Sequence, residues 1–253
     1  MIDLHSHLLP GVDDGSRSVE QSVGVLREMA RRGVTDICLT PHLRASEIGG
    51  VRPERHDQAF GALQAQAPSV PRLHRGAEVM LDRPLPARVQ DASHVTLGGS
   101  RYILVEFPRL VPPDVVANAL TRLRGSGLLA VVAHPERYSC CTLPAVSQWR
   151  ALGAAMQVDA TTLLSPQKRG QRARILVAAG LADILAADNH GDDRSIATGF
   201  DFLLAQDGED QANLLTVHNP AAMLEDGALA PVPPLQIRRS WMQRIRQLIE
   251  GDA

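Results

Sequence analysis

Long apolar runs, a dominant charge and a cysteine framework are all missing from this 253-residue chain. No stretch of about 18 apolar residues is present, so no membrane-spanning helix is expected. The opening MIDLHSHL carries an acid and histidines where a secretion signal needs a basic start and an apolar centre, which places the expected location in the cytoplasm. A formal net charge of -2 gives no general electrostatic reason to bind nucleic acid or insert into a membrane. The three cysteines, Cys38 and the adjacent Cys140 and Cys141, form neither a disulfide framework nor a spaced zinc pattern. Lysine is nearly absent too, since 25 of the 26 basic residues are arginine, a bias that reads as codon usage. What is present, 44% hydrophobic residues over this length, suffices for one large core.

Short apolar runs alternate with helical patterns along most of the chain, the signature of βα units around a parallel sheet or barrel. The runs are 2–4, 36–40, 76–81, 102–107, 128–133, 155–158 and 184–187. Between the first two, Val19, Val23, Leu26 and Ala30 form a helical stripe, with Ser18 as its N-cap and Gly33 as its stop. Pro112 and Pro113 open a helix running to about Arg124, and further helices are expected near 143–152, 171–179, 195–205 and 211–217. Residues 43–71 predict a surface helix with loose flanks. WMQRIRQLI, from Trp241 to Ile249, reads as a short amphipathic helix that packs on the body or on a second copy.

Residues able to bind metal recur where these strands end. His5 and His7 follow the first, His42 follows the second, Glu78 lies in the third and Glu106 ends the fourth. His134 follows the fifth, and Asp188 and His190 follow the last. Parallel strands in a barrel open their carboxyl ends on one face, so these side chains are expected to converge there. Any one of them alone is more simply a satisfied polar residue, but Glu78 and Glu106 sit in strands expected to be buried, where an unpaired carboxylate costs several kcal/mol. Imidazole and carboxylate together, without thiolate, suit Mn, Fe or Zn, in a set large enough for two or three ions.

HSHLLPGVDDG, TPH, GAE, the Glu of YILVEF, AHPERY and ADNH resemble the motif series of the PHP (polymerase and histidinol phosphatase) superfamily. Within it they resemble the manganese-dependent protein-tyrosine phosphatases of bacterial capsule and exopolysaccharide loci. The resemblance runs to LTVHNPAAML, and it implies an α/β fold: a distorted TIM-like (β/α)7 barrel over residues 1–227, followed by a proline-rich linker and the C-terminal helix over 228–253. It implies three metal ions, most simply Mn2+. His5, His7, Glu78 and Asp188 would hold the first. Glu78 would bridge to a second, held with Glu106 and His134, and His42, His190 and Asp14 would hold the third, with Asp13 orienting a ligand. Arg137 and Arg194 match phosphate-binding positions. Two departures stand out: ADNH has Ala where Ser is commoner before the aspartate, and Glu106 replaces a histidine of other PHP branches, which agrees with the capsule type.

The implied reaction is hydrolysis of phosphotyrosine on protein by a hydroxide held on the ions, with the tail of a capsule-type tyrosine kinase as partner. A small-molecule phosphomonoesterase such as histidinol phosphatase is the alternative, and a noncatalytic PHP scaffold is a third reading. A thiolate rival exists, because Cys38 and Arg44 stand at Cys-x5-Arg spacing. The five residues between them include a proline and no glycine, so they cannot present the run of amides that a phosphate cradle uses. His56, His74, His94 and His218 match no motif and read as surface or packing histidines. Arg17 and Arg44 lie where they could gather an acidic peptide.

Overall fold

A computed structural model describes residues 1–48, 54–85 and 95–238 of the chain. Nine strands are formed among them: β1 (Ile2–Asp3), β2 (Asp36–Leu39), β3 (His42–Arg44), β4 (Arg72–Arg75), β5 (Glu78–Met80), β6 (Tyr102–Glu106), β7 (Leu129–Ala133), β8 (Ala155–Asp159) and β9 (Ile184–Ala186). Every pairing between them is parallel.

The nine strands are seven staves of one distorted barrel. β2 resumes as β3 after Thr40 and Pro41, and β4 resumes as β5 after Gly76 and Ala77. Pro41 has no N–H to give a ladder, which is one reason the second stave breaks there. The sheet β1-β2-β4 therefore passes into the sheet β3-β5-β6-β7-β8-β9, joined by the Gly76 amide donating to Leu39 O at 3.1 Å and the Glu78 amide donating to Pro41 O at 3.1 Å. Closure comes from the two extremes of the circuit. Ser6 bridges Asn189, the Asp188 amide donates to His5 O at 3.1 Å, and the His7 amide donates to Asn189 O at 2.7 Å. Below them the Asp3 carboxylate accepts from the Ala187 amide, 184 positions away in sequence.

Helices pack outside this wall. α1 (Val19–Arg31) starts where Ser18 accepts from the Gln21 amide and buries Val23, Leu26 and Met29. α2 (Glu54–Gln64) lies between the second and third staves. α3 (Pro113–Gly125), α4 (Leu143–Ala151), α5 (Lys168–Ala178), α6 (Ile196–Leu204), α7 (Glu209–Asn213) and α8 (Asn219–Leu224) follow the later strands. Inside, the two-residue period of each strand decides what faces the lumen. Ile2, Leu4, Cys38, Tyr102, Leu104, Val131, Ala155 and Ile184 belong to one buried apolar cluster that plugs the lower barrel. One step further along the same faces stand Glu106, Gln157, Asp159 and Asp188, so the plug is roofed by polar groups at the carboxyl ends.

Two expectations change, and one lies outside what is described. Residues 43–71 hold α2, but they begin with the end of β3 and a short helical turn at Ala45–Glu47, and the strand at Arg72–Arg75 was not foreseen. The helix expected over 211–217 is interrupted by a π-turn at Leu214–His218 between α7 and α8. The helix expected from Trp241 to Ile249, like His94, lies outside the described residues.

Candidate metal centre

At the carboxyl mouth of the barrel, five imidazoles and four carboxylates fall into four overlapping groups whose donor atoms lie within 4.8 Å of one another: His5, His7 and Asp188; His5, Glu78 and His134; His42, Glu78 and Glu106; and His7, Asp14, His42 and His190. Glu78, fully buried, is shared by two of them. Its Oε2 lies 3.3 Å from His5 Nε2, 3.4 Å from His7 Nε2 and 3.0 Å from His42 Nδ1, yet none of these contacts has hydrogen-bond alignment. Asp188 Oδ1 stands 3.3 Å from His5 Nε2 and 3.2 Å from His7 Nε2, and those two nitrogens are 3.2 Å apart. Lone pairs converging on one small space in this way fit a cation between them.

The outward nitrogens support that fit. His5 Nδ1 donates to Gln157 Oε1 at 3.0 Å, His7 Nδ1 to Asp13 Oδ2 at 2.8 Å, and His190 Nδ1 to the Asp188 carbonyl at 2.9 Å. Each ring is thereby oriented with Nε2 turned into the cluster, as outer oxygens orient metal-binding histidines. His134 differs: its Nε2 is 2.8 Å from Glu78 Oε1, and its buried Nδ1 has no partner. The backbone adds a further mark, because His134 (φ 33°) and Asp188 (φ 49°) both take the left-handed conformation. Such residues persist where their surroundings hold them, with strain of order 1–3 kcal/mol each.

Without ions, protons balance the charge. Burial works against the charged form of His7, but its hydrogen bond to Asp13 and the nearby carboxylates of Asp188 and Glu78 hold it well above the usual imidazole range. His42, likewise opposed by burial, is raised to about 10 by Glu106 and Glu78. Burial pushes Glu78 up, and the charge on His5, the hydrogen bond with His134 and the nearby His42 ring bring it well below the usual carboxylate range. His190 is the exception, lowered by burial and by the neighbouring charge on His7.

The adjacent carboxylates of the first loop have different surroundings. Asp13 points inward, accepting from His7 Nδ1, from the His42 amide at 3.0 Å and from the Gly15 amide at 3.0 Å, and burial is outweighed so that it sits near 2. Asp14 is exposed, with Oδ1 3.4 Å from His42 Nε2 and 3.7 Å from His190 Nε2. The turn needs glycine, since a Cβ on Gly15 would lie 2.0 Å from the His7 carbonyl oxygen. Glu106 groups with His42 and Glu78, while His134 groups with Glu78 and His5, so the pairing of Glu106 with His134 implied by the resemblance does not appear among these groups.

Beside the cluster opens a cleft of about 750 Å3, with Arg137, Asp188, His190 and Arg194 in its wall. Arg137 Nη2 donates to Asp159 Oδ2 at 2.8 Å and to Asp188 Oδ2, and Arg194 Nη1 lies 3.7 Å from Asp188 Oδ2. Asp159 in turn is fixed by the Thr161 hydroxyl and by the amides of Thr161 and Thr162. Gln157 and Asp159 escaped the sequence reading, although their alternation in AMQVD, on the one stave without a metal-type ending, carried the signal. Buried Glu136 was missed as well; desolvation and the nearby charge of Asp159 raise it to about 8. The thiolate alternative fails on geometry. Cys38 is buried in the apolar plug, desolvation pushes its thiol far up, and exposed Arg44 helps cap the turn after β3. His74 pairs with Asp36, His56 is buried and His218 is exposed.

Comparison with known proteins places this geometry in context. The sequence matches the family described as capsular polysaccharide synthesis, CpsB/CapC, over residues 1–225. It is 27% identical to the tyrosine-protein phosphatase CpsB of Streptococcus pneumoniae, over 89% of this chain and 99% of that protein. One chain from the crystal structures of Bacillus subtilis YwqE and S. pneumoniae CpsB, described as unique metal-dependent tyrosine phosphatases, superposes with a TM-score of 0.75 at 26% identity, covering 94% of this chain and 100% of that one. YjjV, a TatD homologue from Escherichia coli, shares the fold at a TM-score of 0.53 and 15% identity, covering 88% and 97%.

Proposed function

This chain belongs to the CpsB/CapC family of capsular polysaccharide synthesis, and we propose on that basis that it is a metal-dependent protein-tyrosine phosphatase. The observation that carries the reading is Glu78 Oε2, a buried carboxylate oxygen facing three imidazole nitrogens with no aligned hydrogen bond. We assign His5, His7 and Asp188 with Glu78 to one ion position and His42, His190 and Asp14 to a third; the second, Glu78 with His134 and Glu106, rests on the family resemblance, Glu78 standing in one group with His134 and in another with Glu106. The donor set accepts manganese, iron or zinc, with manganese as our first choice. When bound, such ions supply positive charge against phosphoryl oxygens and acidify water toward neutrality.

The chain's own residues do the remaining work. Arg137, its Nη2 held by Asp159 and Asp188, presents a fixed guanidinium at the cleft wall. With Arg194 it clamps the phosphoryl oxygens and sets the in-line pose. Asp14, exposed at the rim, meets the entering phosphate side of the cluster. Phenol has a pKa near 10, so a tyrosine leaving group needs little proton donation. No cysteine nucleophile is needed, since Cys38 is walled off in the plug. The substrate we favour is the phosphotyrosine tail of a capsule-type tyrosine kinase, met in the cytoplasm. No helix among the described residues is long and apolar enough to cross a membrane.

The test is to strip the protein of metal, reload it with Mn, Fe, Zn or Mg, and measure phosphate release from a phosphotyrosine peptide and from histidinol phosphate. A higher kcat/KM for the peptide, preserved in Cys38→Ser, is the expected result. A preference for histidinol phosphate would redirect the assignment to a small-molecule phosphomonoesterase.

A further inference from the structure

Beyond Arg137 and Arg194, the cleft holds four cations that the phosphate clamp leaves unused. Arg109 comes from the loop after β6, and Lys168, Arg169 and Arg172 come from the start of α5. Several arginines elsewhere are paired with carboxylates, among them Arg32 with Asp201, Arg72 with Asp36, Arg101 with Asp226 and Arg150 with Asp183, while Arg124 and Arg174 donate to backbone carbonyls. Among the described residues, none of the four cleft cations holds a carboxylate; Arg172 donates instead to the Tyr138 carbonyl at 2.9 Å. The two acids of the cleft are engaged elsewhere, Asp188 by Arg137 and buried Glu136 by the Asp159 amide. Lys168 is the one lysine of the chain, and α5 begins without a side-chain cap, so its first amides add to the same positive field.

Cations gathered around one opening without counter-charge repel one another, and an anionic ligand relieves that repulsion. The cleft, at about 750 Å3, also has room beyond a single phosphotyrosine side chain. We propose that Arg109, Lys168, Arg169 and Arg172 form a second anion subsite, which takes a further phosphate or carboxylate carried on the same peptide as the phosphotyrosine. It rests on the phosphotyrosine reading above. A second phosphate is the better fit, because its oxygens can pair with an arginine fork as well as with the ammonium of Lys168.

The experiment uses the ion-loaded protein and peptides bearing the non-hydrolysable phosphotyrosine analogue phosphonodifluoromethyl-phenylalanine. Titration calorimetry compares a peptide carrying one analogue, the same peptide with a second analogue nearby, and the same peptide with a glutamate there. The second analogue is expected to tighten binding about tenfold, the effect of one charge-assisted contact. The double variant Lys168→Glu/Arg169→Glu, or Arg109→Glu as a separate surface change, is expected to reduce that ratio to near one. A gain from the second analogue alone identifies phosphate as the ligand, and a gain from glutamate as well identifies any acidic neighbour; either supports the subsite. Equal affinity for all three peptides, or a gain that survives both charge reversals, overturns it. Phosphate release from a singly phosphorylated peptide tests the phosphatase reading independently, because the analogues are not hydrolysed.

Discussion

The two ends of the barrel bury carboxylates by different means. At the amino ends of the strands, Asp36 is gripped by Arg72 through Nε at 2.8 Å and Nη2 at 3.1 Å, with His74 Nε2 at 2.8 Å. Asp183, just ahead of β9, is gripped by Arg150 in the same two-pronged way, at 2.7 and 3.1 Å, and accepts from the Met156 amide. At the carboxyl ends, Glu78 meets only imidazoles, and Asp188 shares itself between imidazoles and Arg137. Arginine closes a carboxylate permanently, because its charge does not titrate in the working range. Imidazole closes one conditionally, since it can surrender a proton and offer a lone pair instead. The base is thus complete within the chain, while the mouth is lined by groups able to exchange protons for a cation.

The strongest way to break this contrast is to remove the metal. Chelation should abolish phosphate release while far-UV circular dichroism stays that of a folded barrel, because the base and the apolar plug need no ion. Arg137→Ala should lower kcat about 100- to 1,000-fold, as loss of a preorganised charge at a reacting group does, with metal content unchanged by elemental analysis. Asp13→Ala removes the acceptor that orients His7 and should weaken metal binding about 10- to 100-fold in calorimetry.

Acidity sharpens the same contrast. His7 and His42 hold protons in the ion-free chain, so metal entry must expel them, and affinity should rise with pH through neutrality. The ion-free protein should behave oppositely in stability. His42, raised from 6.5 to about 10, stabilises the fold fully below about pH 6.5, and that share is lost as pH climbs through 10. Thermal melts of stripped and loaded protein across this window should therefore diverge. The smallest effect on chemistry belongs to the base. Asp183→Ala strands the Met156 amide and Arg150, and should cost about 1–3 kcal/mol of stability in denaturant titrations while leaving metal affinity alone.

Much of this organisation is legible in the sequence because burial writes itself as apolar runs. The staves at Tyr102–Glu106 and Leu129–Ala133 fall within a residue of their runs. The broken staves are harder to read: Pro41 interrupts one, and Arg72-Leu-His-Arg looks like surface because its polar residues face Asp36 and Asp57 across the wall. Eight metal-type residues stand out because each lies in, closes or follows an apolar strand, while Asp14 is reached only through the family motif. Gln157 and Asp159 are fainter, since a lone amide and an acid without histidine beside it leave only their alternation in AMQVD as a signal. Lys168, Arg169 and Arg172 are equally silent in one dimension, where a basic stretch reads as a solvated helix end and only the cleft shows what they face.

The seam at Ser6 and Asn189 also sets an order of events in time. His5 and His7 leave the ribosome first, whereas Asp188 and His190, on the far side of that seam, emerge more than 180 residues later. At elongation rates of about 5–20 residues per second, the opening histidines wait roughly ten seconds or more for the stave that completes their surroundings. A nascent chain therefore carries only fragments of the cluster, and the whole donor set comes together with the closing stitch of the barrel.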